Sequence, residues 1–161
     1  MKSIIAKSPQ ETIELAQKIA HQLKGGEILA LTGELGSGKT TFIKGLAEGL
    51  KVAEVITSPT FVMLKSFPAK IQEKKIEFVH VDAYRVETIE DIKSVGIEDY
   101  FEQSEKQGSA EAGSYFGRDD VIIAIEWAEK IKEILPKKII NIKFDIIDEN
   151  SRRISTLIAR A

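Results

Sequence analysis

Between the apolar run EILALT and the helical stretch FIKGLAEGL the chain reads GELGSGKTT, from Gly33 to Thr41. Of all its segments, this one narrows the fold most. The spacing Gly33-x-x-x-x-Gly38-Lys39-Thr40 is that of a phosphate-holding loop, and it stands where such a loop must, after a strand and before a helix. Glycines at 33, 36 and 38 let the backbone turn tightly and approach an anion where a side chain would collide. Amides of Leu35, Gly36, Ser37, Gly38, Lys39, Thr40 and Thr41 are then free to face that anion, aided by the positive end of the following helix. Lys39 brings a cation to the outer phosphates, and the Thr40 hydroxyl suits a Mg²⁺ that bridges them.

The rest of the chain is consistent with one domain spanning residues 1–161. A hydrophobic share of 43% provides for a core. The net charge of −2 comes from scattered acids and bases, and the basic pairs such as Lys74–Lys75 form no stripe. Direct nucleic-acid binding is therefore not expected to be strong. With no cysteine, the chain has no disulfide, thiolate metal site or thiol nucleophile. No stretch approaches the roughly 20 apolar residues that span a bilayer, and the N-terminus lacks the pattern of a signal peptide. These features predict a soluble, cytoplasmic protein with no membrane partner.

Along the chain, SIIA at 3–6 reads as a strand. Ser8, Pro9 and Glu11 then form a capping box whose glutamate reaches back to the cap, and Gly25-Gly26 stops the helix. Ile43, Leu46, Ala47 and Leu50 give the helix after the loop one apolar face. VMLKSF predicts a strand and PAKIQEKK a charged connector, extended around 68–75. In IEFVHVDAYR, residues Ile76, Phe78, His80 and Asp82 share one strand face, with Val79 and Val81 on the other. Residues 88–101 read as helical in pieces. VIIAIE at 121–126 is a strand buried on both faces, and 128–135 a short helix closed by Pro136. IINIKFDIID and RRISTLIA read as an antiparallel hairpin that turns at Glu149-Asn150-Ser151. Residues 103–119, rich in Ser, Gly, Ala and Glu, read as a flexible surface insertion.

A phosphate loop needs acids at neighbouring strand ends to hold the cation or orient water. Glu126, which ends VIIAIE, and Asp82, which ends IEFVHVD, are the candidates. Each has a plainer reading as a cap for the segment that follows. His80 is either functional or a hydrogen-bonded structural histidine. Trp127 is a packing anchor or a reporter beside Glu126, and TSPTF, with Thr57, Ser58 and Thr60, is a switch segment or a turn into the next strand. Arg85 is a candidate docking or phosphate-facing residue. Arg152–Arg153 either approach the nucleotide or solvate the hairpin, Arg153 being the candidate retained.

The ordered set GELGSGKTTFIKGL, TSPTF, HVDAYR, GIEDYF and IEWAE resembles the TsaE (YjeE) ATPases of tRNA threonylcarbamoyladenosine biosynthesis, from about Ser8 to the C-terminal RRI. The resemblance implies an α/β P-loop NTPase with a mixed, mostly parallel sheet flanked by helices. It implies ATP and Mg²⁺ as cofactors, weak ATPase activity alone, and TsaD/TsaB-type threonylcarbamoyl-transferase subunits as partners. By the same resemblance Lys39 and Thr40 serve phosphate and Mg²⁺, Glu126 serves the metal, Asp82 matters for activity, and Ser58–Phe61 act as a switch. The insertion at 103–119 and the stretch around 68–75 exceed the family pattern.

Other readings make different demands. A small-molecule or nucleoside kinase would carry an arginine-rich lid, whereas the arginines here, at 85, 118, 152, 153 and 160, do not cluster in a helical insertion. A GTP-dependent switch would show Asn-Lys-x-Asp and Asp-x-x-Gly, both missing from the sequence. A nucleotide-sensing assembly factor would need binding without turnover.

Overall fold

The structure of the chain, a computed structural model, describes residues 2–59, 63–105 and 120–158. Strand β1 (Lys2–Ala6) leads to helix α1 (Pro9–Ala20), and β2 (Ile28–Gly33) leads through the glycine loop to α2 (Lys39–Gly49). A hairpin of β3 (Leu64–Ile71) and β4 (Lys74–Asp82) precedes two short helices, α3 (Ile89–Lys93) and α4 (Ile97–Glu105). The chain continues through β5 (Val121–Glu126), a 3₁₀ turn (Ala128–Ile131), β6 (Ile140–Ile146) and β7 (Arg152–Ile158).

All seven strands form one sheet in the order β1-β7-β6-β2-β5-β4-β3. The four central strands, β6, β2, β5 and β4, run parallel, while β1, β7 and β3 pair antiparallel at the flanks. This is the expected mixed sheet with its C-terminal antiparallel hairpin. Alternation along each strand divides the core into two layers. Leu29, Leu31, Phe78, Ile122, Ala124 and Phe144 face α1 and α2. Ile28, Ala30, Val79, Val81, Ile123 and Ile125 face α3, α4 and the 3₁₀ turn. All six residues of β5 are buried, as a strand covered on both faces must be. Helices α1 and α2 touch closely at Gly45, where an added Cβ would stand 2.5 Å from the carbonyl oxygen of Ile13.

Several local expectations are refined. Ser8 Oγ accepts from the Glu11 N–H at 3.2 Å, but the Glu11 carboxylate takes the N–H of Lys7, one residue before the cap. The stretch at 68–75 is no connector. It is the tip of the β3–β4 hairpin, turning at Gln72-Glu73, with Gln72 in the left-handed region (φ 54°). Pro68 fits there because β3 is an edge strand. The helix expected at 128–135 is a single 3₁₀ turn, begun by Trp127 at φ 57°. Of the insertion at 103–119, α4 takes in the backbone to Glu105, and residues 106–119 lie outside the described residues.

Candidate functional site

Strands β2, β5 and β4 end side by side, Leu31 level with Glu126 and Glu126 with Asp82. In an open α/β sheet, ligands are received outside this carboxyl edge. Here it carries a cavity of about 440 Å³ lined by Leu35–Thr41, Ser58, Asp82, Tyr84, Glu126 and Trp127.

The glycine loop forms one wall. The Ser37 N–H reaches the Glu34 carbonyl at 3.2 Å, closing a turn with Gly36 at φ 75° in its third position. Gly33 sits at φ 143°, and a Cβ there would stand 2.5 Å from the Phe144 carbonyl oxygen. Gly38, left-handed, opens α2, and no side chain among the described residues caps that helix start. The first-turn amides are thus left for an outside acceptor, at the end of the helix that favours anions.

Lys39 is 4% exposed and folds back over the loop. Its Nζ donates to the carbonyls of Gly33 (2.7 Å) and Glu34 (2.9 Å) and to Ser37 Oγ (3.4 Å). It also lies 3.8 Å from the centroid of the Trp127 ring, within cation–π range. Burial pushes its ammonium below the ordinary value, while the charges of Glu126, Glu129 and Asp82 oppose that shift. One strand away, the Glu126 carboxylate is 3% exposed. It accepts from Thr40 Oγ1 at 2.8 and 3.0 Å, and His80 Nε2 lies 2.9 Å from its Oε1. Helix α2 and strand β5 are thereby joined through a hydroxyl and a carboxylate.

Asp82 accepts from Ser58 Oγ through one oxygen and from the Tyr84 N–H, at 2.9 Å, through the other. The Tyr84 ring leans on Trp127 with centroids 5.1 Å apart. Lys130 donates to the carbonyls of Tyr84 and Val86, fixing the segment after Asp82 to the 3₁₀ turn.

The expected site residues therefore divide. Leu35, Gly36, Ser37, Gly38, Lys39, Thr40, Thr41, Ser58, Asp82, Glu126 and Trp127 come together around the cavity. Gly33 closes the loop beneath it, and His80 is buried behind Glu126. Thr57 and Arg85 are exposed and off the lining, while Thr60 and Phe61 lie outside the described residues. Arg153 is exposed on β7, whereas Arg152 lies on the α2 face with Ile154 and donates to the Gly36 carbonyl at 3.1 Å. Tyr84 and Lys130 are the residues that sequence reasoning did not place here, and of the candidate pair Arg152–Arg153 it is Arg152 that reaches the loop. For Arg152 a signal existed, since alternation puts it on the face of the apolar Ile154.

Chemically, the cavity offers one group to a polyanion and another to a cation. The glycine-loop amides, the α2 N-terminus and Lys39 are suited to phosphate oxygens. Thr40 Oγ1, Glu126 and Asp82 are oxygen donors suited to a hard divalent cation. Three or more His, Asp or Glu side chains do not converge as a metal cage among the described residues.

Fold and site together define a single-domain α/β protein whose glycine loop, buried lysine and paired carboxylates meet at the carboxyl edge of a mixed sheet. Residues 6–154 match the family described as threonylcarbamoyl adenosine biosynthesis protein TsaE, and the chain belongs to that family. It is 35% identical over 156 residues to the tRNA threonylcarbamoyladenosine biosynthesis protein TsaE of Aquifex aeolicus (strain VF5), covering 96% of this chain and 94% of the relative. The protein of the same name from Bacillus subtilis (strain 168) is 32% identical over 148 residues, covering 92% and 80%. The crystal structure of YdiB from Bacillus subtilis superposes with a TM-score of 0.70 at 29% identity, covering 99% of this chain and 86% of that one. No helix among the described residues is long and apolar enough to cross a membrane.

Proposed function

We propose that the protein is a Mg²⁺-dependent P-loop ATPase of tRNA threonylcarbamoyladenosine biosynthesis, working in the cytoplasm on a TsaD/TsaB-type threonylcarbamoyl-transferase. The observation that carries this reading is the junction of Lys39, Thr40 and Glu126. A buried ammonium on the glycine loop lies beside a hydroxyl that is tied to a strand-end carboxylate.

In this reading the amides of the loop and of the first turn of α2 bind the phosphates, and Lys39 leaves the Gly33 and Glu34 carbonyls to meet the outer ones. Thr40 and Glu126 would hold Mg²⁺, which would supply positive charge to offset that of the phosphate oxygens. Asp82 is the group placed to orient water, because its two oxygens are already fixed by Ser58 and the Tyr84 amide. Ser58 ties Asp82 to the segment at 57–59, so a change in that segment moves the aspartate. Part of the site therefore depends on a contact that a partner can tighten, which predicts weak turnover alone.

The test is ATP hydrolysis by the protein alone, with TsaD/TsaB-type subunits, and by Lys39→Ala under both conditions. Slow turnover that the subunits stimulate and Lys39→Ala abolishes supports the reading. Turnover indifferent to the subunits, or phosphate delivered to a nucleoside instead of water, overturns it in favour of a kinase.

A further inference from the structure

Behind Glu126 stands a side chain that the reading above does not use. His80 is fully buried in β4, on the α2 face between Phe78 and Asp82. Its register partner on β5 is Ala124, whose methyl leaves the imidazole room to lean toward the strand end. There Nε2 lies 2.9 Å from Oε1 of Glu126. An ionised carboxylate only accepts, so the ring hydrogen belongs on Nε2. The other nitrogen, Nδ1, is buried with no hydrogen-bond partner among the described residues. A hydrogen placed there would be a buried donor with nothing to receive it. The Nε2–H tautomer is the one that leaves no donor unpaired, and it aims a single N–H at the carboxylate that Thr40 also grips.

We propose that His80 is a positioning residue for Glu126. Its Nε2–H fixes Oε1 so that Oε2 is presented to Thr40 and to the cation. The proposal rests on the ATPase reading and adds to it the group that sets the carboxylate's orientation. Packing alone would explain an apolar residue at this place. It does not explain a hydrogen bond to the carboxylate at the cavity, made by a ring whose other nitrogen is left unpaired. Groups that orient a metal-binding carboxylate in this manner are commonly worth about 10–100-fold in metal affinity or activity.

Two measurements test it. In the ¹⁵N-labelled full chain without nucleotide, the imidazole nitrogen shifts of His80 are expected to show the Nε2–H tautomer. The Nδ1–H tautomer overturns the proposal. The second measurement compares His80→Gln, which places an amide nitrogen near Nε2, with His80→Asn, whose amide stops near Nδ1. With melting temperatures recorded for both, His80→Gln should retain most of kcat while His80→Asn loses about 10–100-fold, and KM for ATP should change little in either. Equal kcat in the two variants, or a loss confined to KM, overturns the proposal. If neither variant folds, the tautomer decides. An inactive wild type with the Nε2–H tautomer sinks the ATPase reading. An active wild type with interchangeable Gln and Asn sinks the role of His80.

Discussion

Replacing Gly33 with alanine should destabilise the fold, whereas the same change three residues on, at Gly36, should cost far less. At Gly33 the new Cβ would stand 2.5 Å from the Phe144 carbonyl oxygen, and 3.0 Å from both Phe144 Cβ and Ser37 Oγ. The nearest of these is backbone of β6, held in register opposite Gly33, so it cannot rotate away. Backbone strain at φ 143° contributes about 1–3 kcal/mol. The forced separation of β2 from β6 adds about 1–3 kcal/mol. Together they reach roughly 2–6 kcal/mol, a large part of the roughly 5–15 kcal/mol that holds such a domain folded. At Gly36 (φ 75°) a Cβ meets nothing within 4 Å, which leaves only the left-handed backbone penalty of about 1–2 kcal/mol. Urea unfolding with linear extrapolation measures both, and unchanged slopes would show that stability alone moved. Equal losses in the two variants, or a Gly33→Ala protein as stable as wild type, would refute the close approach of β2 and β6 beneath the loop.

Other outcomes follow from the same geometry. Glu126→Gln keeps the shape of the side chain but removes its charge. ATP turnover should fall by about 10²–10³-fold, the scale for losing one preorganised electrostatic group, with nucleotide still bound in a filter-binding assay. Gly45→Ala should lose stability in thermal unfolding, because crowding the Ile13 backbone at about 1–3 kcal/mol exceeds the helix-propensity gain of about 1 kcal/mol. Burial lowers the Lys39 value below 10.5, so between the lowered value and 10.5 the unfolded chain binds a proton that the native state does not. Wild-type stability should therefore gain an increment as pH rises through that window, and Lys39→Met should lack it in pH-dependent urea titrations. Trp127 is the sole tryptophan and faces Lys39. Its emission should change both on nucleotide addition and in Lys39→Met.

The glycine loop was legible because its function is written in residue types at fixed spacing, with a strand and a helix on either side. The faces of β4 were legible for a similar reason. Alternation alone put Ile76, Phe78, His80 and Asp82 together, and Val79 and Val81 opposite. The hairpin at 68–75 was hidden by Lys70, Glu73, Lys74 and Lys75. Charges are tolerated on the outer turn of an edge hairpin, so they do not distinguish it from a loop. The 3₁₀ turn after Glu126 was hidden because nothing local announces a tryptophan in the left-handed region. Trp127 adopts it where its ring packs between Lys39 and Tyr84, a tertiary arrangement. Asp82 and Glu126 were readable as strand-end acids. Their partners Ser58, Thr40 and His80 come from other elements, and only the tertiary fold, with β4 and β5 in register at Asp82 and Glu126, brings them together. The plainer account of Asp82 is also part of the answer, since it caps the Tyr84 amide while facing the cavity.

Calorimetric titration of a nonhydrolysable ATP analogue with Mg²⁺ into wild type and into Lys39→Ala tests the central claim most directly. The account predicts a micromolar dissociation constant, about −8 kcal/mol, for wild type and a severe loss in the variant. Equal binding by both proteins would contradict it, because the ammonium over the glycine loop would then have no part in holding the phosphates.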